Sequence, residues 1–284
     1  MNIFEAYNKT KKELEAAGIE DYVFEAKQII KHITAMSSSE ILMNYTKELG
    51  EYRENNLTAI IKQRAVRYPL QYIFGEWSFY GRSFYVGPGV LIPRADTETV
   101  VDVCLESISA EKPVKVLDLC AGSGCIGITL AAERKNACVT MVERYPEAAR
   151  YAERSIKRHG TENTRLVIGD VCERVATEES YDLIVSNPPY IAPGEMNTVS
   201  PEVHYEPETA LNGGDDGLDF YRTITEGYKN SLTPGGMLVF EVGASQAEAV
   251  KQIMAAAGFE GITAKRDAAS IERAVYGFKG LREE

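Results

Sequence analysis

Residues 182–190 read Asp-Leu-Ile-Val-Ser-Asn-Pro-Pro-Tyr, a strand-like apolar run that ends on four residues able to hold a planar nitrogen. Pro188 and Pro189 fix their own φ and have no N–H to donate, so the carbonyls of Asn187 and Pro188 can face a ligand. Tyr190 supplies an aromatic face against a planar group. Amide and exocyclic amino nitrogens are poor nucleophiles. Two acceptors on their hydrogens would turn the lone pair toward a methyl sulfonium and stabilise the positive charge that develops. The plain alternative is a proline-terminated strand with a capping Asn. The place of the tetrapeptide, directly at the end of a buried strand, favours chemistry.

A second cluster lies upstream. Val116 to Leu119 form a strand that runs into Cys120-Ala121-Gly122-Ser123-Gly124 and then a helix, and the two glycines allow a tight bend and close approach to a ligand. Dinucleotide, flavin and methyltransferase sites all use such a turn, so alone it decides little. Glu143 ends the next strand about 20 residues later, where an acid accepts hydrogen bonds from ribose hydroxyls. Asp170, followed by Val171, ends the strand after that and can reach an adenine edge. Either acid alone is as readily a solvated strand end. Acids at the ends of consecutive strands, on the side where such sheets bind ligands, argue for a nucleoside cofactor. Asp118 ahead of the turn favours S-adenosyl-L-methionine over NAD, by engaging its amino-acid moiety or by fixing the loop.

These residues need a sheet to carry them. From residue 99 onward, strand patterns at 115–119, 137–143, 165–169, 181–186, 236–242, 261–265 and 273–278 alternate with helical patterns around 124–134, 145–159, 217–231 and 245–257. The alternation predicts an α/β fold, a Rossmann-like parallel doubly wound sheet. The link between the last two strands is too short for a crossover helix, so one of them runs antiparallel. Residues 1–72 read as a small helical bundle. Ile3, Phe4, Tyr7 and Leu14 fall on one face, as do Val23, Ala26, Ile30 and Ile33. Ser37-Ser38-Ser39 is an N-cap region for a short third helix, and Leu57, Ile60, Ile61 and Ala65 mark a fourth, stopped by Pro69. Aromatics and glycines over 71–92 predict a β-hairpin, so that 73–98 link the bundle to a catalytic domain at 99–284 and help to wall its site. Arg94 either contacts substrate or pairs with Glu98 at a helix start.

Composition narrows the class. The chain has 284 residues, 44% of them hydrophobic, and a formal net charge of −11, which argues against a large nonspecific duplex-DNA surface and against a stable nucleic-acid partner. The five cysteines show no CxxC pairing and the three histidines are not spaced to assist them, so reduced thiols and no metal are expected. There is neither a run of about 18 apolar residues nor a secretory signal pattern, which points to the cytoplasm and no membrane partner.

The motifs together resemble one family. Asn187-Pro188-Pro189-Tyr190 is similar to the motif of amino-nitrogen methyltransferases acting on adenine, cytosine or glutamine. Leu91-Ile92-Pro93-Arg94-Ala95-Asp96-Thr97-Glu98, then Tyr205-Glu206-Pro207, Ala210-Leu211 and residues 213–221, then Phe240-Glu241-Val242-Gly243 and Asp267 with Arg273, extend the likeness over almost the whole chain. The pattern resembles the HemK/PrmC family of peptide-chain-release-factor glutamine N5-methyltransferases. That resemblance implies a substrate, the glutamine of the Gly-Gly-Gln loop of class I release factors. It also implies that residues 120–124, Glu143 and Asn187 contact the cofactor while Asn187 to Tyr190 hold the glutamine. Ala95 stands where the family usually has a second proline, and Arg154 where an Asn is common. A ribosomal-protein glutamine methyltransferase shares the tetrapeptide. A nucleic-acid amino-methyltransferase would carry a target-recognition domain and a basic face, and a non-catalytic cofactor-binding module would not be expected to keep both motifs intact.

Overall fold

Ile3, Ala6, Thr10 and Leu14 recur at three- and four-residue intervals and bury one side of α1 (Ile3–Ala16). The computed structural model describes residues 1–281, so residues 282–284 of the expected catalytic region lie outside the described residues. Four more helices complete the N-terminal part: α2 (Tyr22–Thr34), α3 (Ser38–Met43), α4 (Glu51–Ala65) and α5 (Leu70–Phe74). Ser37 caps α3 in a reciprocal capping box with Glu40. Phe4 and Val23, expected on the inner faces, are 51% and 40% exposed. Each lies next in sequence to an inward position or on the helix flank, about 100° per residue from the stripe that packs. Residues 71–74, expected as strand, form the last turn of α5. Pro69 sits at its N-cap and so begins a helix as well as following one.

The chain divides into two units, residues 1–75 with 200–205, and residues 76–199 with 206 onward. In the first unit the one-turn helix Pro201–Tyr205 joins the bundle. Arg64 is buried and donates to Glu25 at 2.6 and 3.0 Å and to Glu202 at 2.7 Å. Tyr205 donates its hydroxyl to the Val66 carbonyl at 2.9 Å. No local sequence pattern announces these pairs, because their partners are 39 to 139 residues away.

The second unit opens with a hairpin of β1 (Glu76–Phe79) and β2 (Arg82–Tyr85), and α6 (Glu98–Ser107) follows. Tyr80 and Gly81 form the hairpin turn, both left-handed, with φ 50° and 70°. Then come β3 (Val114–Leu119), α7 (Cys125–Glu133), β4 (Ala137–Glu143), α8 (Pro146–His159), β5 (Thr164–Ile168) and β6 (Tyr181–Ser186). The unit closes with α9 (Asp219–Tyr228), β7 (Leu232–Glu241), α10 (Ala247–Ala256), β8 (Phe259–Arg266) and β9 (Glu272–Lys279). The seven-stranded sheet has the order β5-β4-β3-β6-β7-β9-β8. β3 to β7 pair in parallel, and β9 runs antiparallel to both β7 and β8, as the short link before it requires. β3 and β6 are buried along nearly their whole length, and α7, apolar on all sides, is buried with them.

Replacing Arg64 by Ala would strand the partly buried Glu25 carboxylate and leave Glu202 to Arg67 alone, a loss of about 3 kcal/mol for a buried ion pair broken from one side. Amide hydrogen exchange in α2 and α4 should accelerate accordingly. Unchanged protection there would show that the cluster is not structural.

Candidate active site

The turn after β3 is held by its backbone. Ala121 N donates to the Val142 carbonyl at 3.0 Å and Gly124 N to the Ala121 carbonyl at 2.8 Å. Gly122 N donates to Glu143 Oε2 at 2.8 Å, and Tyr145 N donates to Glu143 Oε1 at 2.7 Å. The Glu143 carboxylate is thus fixed from both sides at the end of β4. Burial raises its affinity for a proton, and these backbone donors oppose that shift. Gly122 has φ +55°, and a Cβ built on it would meet only Val90 Cγ2 at 3.9 Å, so it would stand in open space beside the turn.

Asp118 lies beneath the turn rather than on its surface. It is fully buried and accepts from Gly127 N at 2.9 Å, in the first turn of α7. Its other oxygen has no hydrogen-bond partner among the described residues. Burial pushes the carboxyl up to about 7, the Gly127 N–H opposes this, and the negative Glu143 adds to it. Asp118 therefore fixes the loop, one of the two roles its position suggests.

A cavity of roughly 930 Å³, open to solvent on one side, lies at the carboxyl ends of the strands. Cys120, Ala121, Gly122, Ser123, Glu143, Asp170, Val171, Asn187 and Pro189 line it, while Asp118, Gly124, Pro188 and Tyr190 do not. Val142, Tyr145, Ala148 and Ile126 add apolar and aromatic wall, and Gly89, Val90, Leu91, Pro93, Arg94 and Thr97 come from the segment after the hairpin. Asp170 accepts from Cys172 N at 2.9 Å and pairs with Arg144 at 2.9 Å. A rigid carboxylate, apolar walls and a glycine with room where a side chain would be fit an adenosine-bearing ligand: acid for the ribose, walls for the base. Among the described residues no cluster of three or more His, Cys, Asp or Glu is arranged for a metal, and all five cysteines are free.

The Asn187 to Tyr190 segment is pinned from behind. Ile191 N donates to the Leu211 carbonyl at 2.8 Å, and Gly213 N donates back to the Ile191 carbonyl at 3.0 Å. A Cβ on Gly213 would stand 2.6 Å from Tyr190 Cα, so only glycine allows this approach. Gln246 Nε2 donates to the Tyr190 carbonyl at 2.8 Å. The Asn187 side chain donates from Nδ2 to Thr97 Oγ1 at 3.4 Å. The Tyr190 hydroxyl donates to Glu241 Oε1 at 3.4 Å, and Tyr190's phenol is raised by burial. Glu241 ends β7, fully buried, and is pushed up to about 7 by burial, against the pull of a hydrogen bond from Thr97 and of the Arg273 charge. Arg273 in turn pairs with Asp96 and Asp267, both at 3.2 Å.

Arg94 pairs with Glu206, which also accepts from Ile92 N at 2.9 Å. Its expected partner Glu98 is instead occupied by Tyr80 N, at 2.7 Å, under the hairpin turn. The stretches holding Glu206, Thr97 and Glu241 fit the family pattern, but nothing in the sequence gives those three residues a role. Each works through a partner at least 50 residues away, so spacing carries no signal for them.

Residues 93–212 match the methyltransferase small domain family, and residues 5–75 match the PrmC N-terminal domain family. A release factor glutamine methyltransferase of Geobacter sulfurreducens is 39% identical over 269 residues, 94% of this chain and 93% of that protein. One from Clostridium acetobutylicum is 34% identical over 285 residues, 99% of each chain. Among solved structures, a methyltransferase from Pyrococcus furiosus superposes with a TM-score of 0.54 over 81% of this chain and 99% of its own. At 20% identity that likeness concerns the fold.

Asp118 gives a pH prediction. Its carboxyl binds a proton more tightly folded, at about 7, than at its ordinary 3.8, so its contribution to stability is lost as pH rises through that window and is level above it. Asp118→Asn keeps an acceptor for Gly127 N. Its unfolding midpoint relative to the native chain should therefore improve steadily from about pH 4 to about pH 7 and then stay constant. A pH-independent difference would mean that Asp118 is ionised throughout.

Proposed function

The chain belongs to the release factor glutamine methyltransferase family, and on that premise we propose that it methylates the side-chain amide nitrogen of the glutamine in the Gly-Gly-Gln motif of class I peptide chain release factors. The methyl donor is S-adenosyl-L-methionine. One observation carries this reading: Asn187, Gly122 and Glu143 line a single cavity, so the residues suited to an amide and those suited to a nucleoside cofactor meet in one space.

When bound, the cofactor supplies a methyl group on a sulfonium leaving group. Glu143, held by Gly122 N and Tyr145 N, would receive the ribose hydroxyls without reorganising. Asp170 and Val171 would border the adenine, and Cys120 to Gly124 the amino-acid end. Asn187 Oδ1 and the Pro188 carbonyl would accept the two amide hydrogens of the glutamine, with Pro189 and Tyr190 bounding its plane. No histidine lines the cavity, and none is required. A methylated amide nitrogen that still carries its extra proton is a strong acid and releases it to water, so the enzyme's task is to position a weak nucleophile.

The helical unit exposes Phe4, Phe24, Leu42, Met43 and Tyr52, apolar surface suited to docking a protein substrate. We assign release-factor binding to residues 1–72, a linking role to 73–98 and methyl transfer to the remainder. We also place the protein in the cytoplasm, where release factors act. Among the described residues no helix is long and apolar enough to cross a membrane. The acidic chain is not suited to a stable nucleic-acid partner.

Two experiments test this. Calorimetry should show binding of S-adenosylmethionine and of its demethylated product, abolished in Gly122→Val because a β-branched residue at φ +55° is strained and fills the cradle. Tight binding of NAD with no response to either would reject the cofactor. Labelled methyl transfer to a release factor, to ribosomal proteins and to DNA should proceed on the release factor alone and cease when the Gly-Gly-Gln glutamine becomes alanine. Asn187→Ala should lower turnover by about 10²–10³-fold, the usual loss of one preorganised polar contact to a transition state. A wild-type rate in that variant would remove Asn187 from the mechanism.

A further inference from the structure

An asparagine side chain has two ends of similar shape and opposite hydrogen-bonding sense. Only the oxygen end can receive the hydrogens of a substrate amide; the nitrogen end would oppose donor to donor. The role proposed for Asn187 therefore needs something to select its orientation. Asn187 is only partly buried and lines an open cavity.

The structure supplies a selector beside it. Thr97 ends the one-turn helix Ala95–Thr97, is 2% exposed and lines the same cavity. Its hydroxyl lies between Asn187 Nδ2, at 3.4 Å, and the buried Glu241 carboxylate, with which it is hydrogen-bonded. An ionised carboxylate has only acceptors, so the single Thr97 hydrogen goes to Glu241. The Thr97 oxygen is then left with lone pairs alone, and these accept only from the NH2 end of Asn187. Glu241 is itself held in place by the Tyr190 hydroxyl at 3.4 Å. We infer that Thr97, polarised by Glu241, is a positioning residue that sets the orientation of the Asn187 amide and turns Oδ1 toward the methyl acceptor. This rests on the acceptor role of Asn187 proposed above.

Thr97→Val keeps the shape and removes the hydroxyl, while Thr97→Ser keeps the hydroxyl. Assayed above neutrality, where Glu241 is ionised, Thr97→Val should lose about 10²-fold in kcat, the scale on which small misplacements of a reacting group act. Cofactor affinity should change by no more than about twofold, since it does not depend on that orientation. Thr97→Ser should recover most of the rate. In an Asn187→Ala background, Thr97→Val should cost almost nothing further, because both changes act through one amide. The side-chain amide signals of Asn187, followed by NMR in asparagine-labelled protein, should shift and exchange faster in Thr97→Val and return in Thr97→Ser.

An unchanged kcat in Thr97→Val overturns the inference. So does an equal loss in the Asn187→Ala background, or a loss that tracks a lower melting temperature or weaker cofactor binding. If the native enzyme leaves release factors unmethylated, the functional reading fails instead. The Asn187 amide signals then still decide whether Thr97 sets that side chain, independently of any substrate.

Discussion

The hydrogen bond from Gly127 N to Asp118 fixes the span between the end of β3 and the start of α7, and the rest of the site follows from that span. The first N–H groups of a helix lack partners within it and carry the positive end of its dipole, so a carboxylate there satisfies both. With strand end and helix start held by this bond at 2.9 Å, residues 120–124 must turn within a short arc. Cys120, Gly122 and Gly124 do so in the left-handed region, with φ 60°, 55° and 77°. For Cys120 this costs about 1 kcal/mol. The turn thus arrives with Gly122 N facing Glu143, and the acid proposed to receive the ribose becomes part of the loop's own framework.

The second determinant is the reversal of strand order. Connections from β3 run outward through β4 and β5, whereas β6 and β7 extend the sheet on its other side, so the loops after β3 and β6 diverge and leave a crevice between them. Leu119 pairs with Ser186 at the last rung of that ladder, and the Ser186 hydroxyl donates to the Leu119 carbonyl at 2.8 Å. Cys120 and Asn187 are each one residue past the rung. The separation between the turn proposed for the donor and the tetrapeptide proposed for the acceptor is therefore set by backbone register, the least adjustable feature of a sheet. This suits a reaction in which a poor nucleophile must be brought into line rather than chemically activated.

What the sequence disclosed divides along the same line. Periodicity located all seven strands of the large sheet and the helices between them, because a strand buried on both faces and a helix buried on one have distinct repeats. The strand-end positions of Glu143, Asp170 and Asn187 were legible because strand ends are where α/β sheets hold ligands. Helix α6 has no clear signal in the sequence, and α5 differs from the expected strand because its Leu-Gln-Tyr-Ile-Phe composition suits either state over so short a run. Pairings such as Arg94 with Glu206 and Arg64 with Glu202 depend on the tertiary path, and no spacing rule reaches across 112 or 138 residues. The segment around Gly213 was matched by likeness alone. Its physical reason is backbone packed against Tyr190 Cα, a tertiary approach that no local pattern encodes.

Asp118 and Glu241 raise a final question, since each is a fully buried carboxyl with one oxygen unpartnered among the described residues. Burying such groups destabilises a fold, and an apolar side chain of similar size would make a firmer core. Neither acid, however, could be replaced by an apolar residue without losing a direction. Asp118 aims the α7 backbone, and Glu241 aims two hydroxyls, those of Tyr190 and Thr97. A hydrophobic contact holds position but is indifferent to which end of a polar group faces it, whereas an acceptor-only group imposes polarity on its neighbours. Glu241 stands behind Thr97, which lines the cavity, and Asp118 lies beneath the turn whose residues 120–123 do. The fold thus accepts weak points in its core where hydrogen-bond sense, more than shape, decides whether an amide is held the right way round.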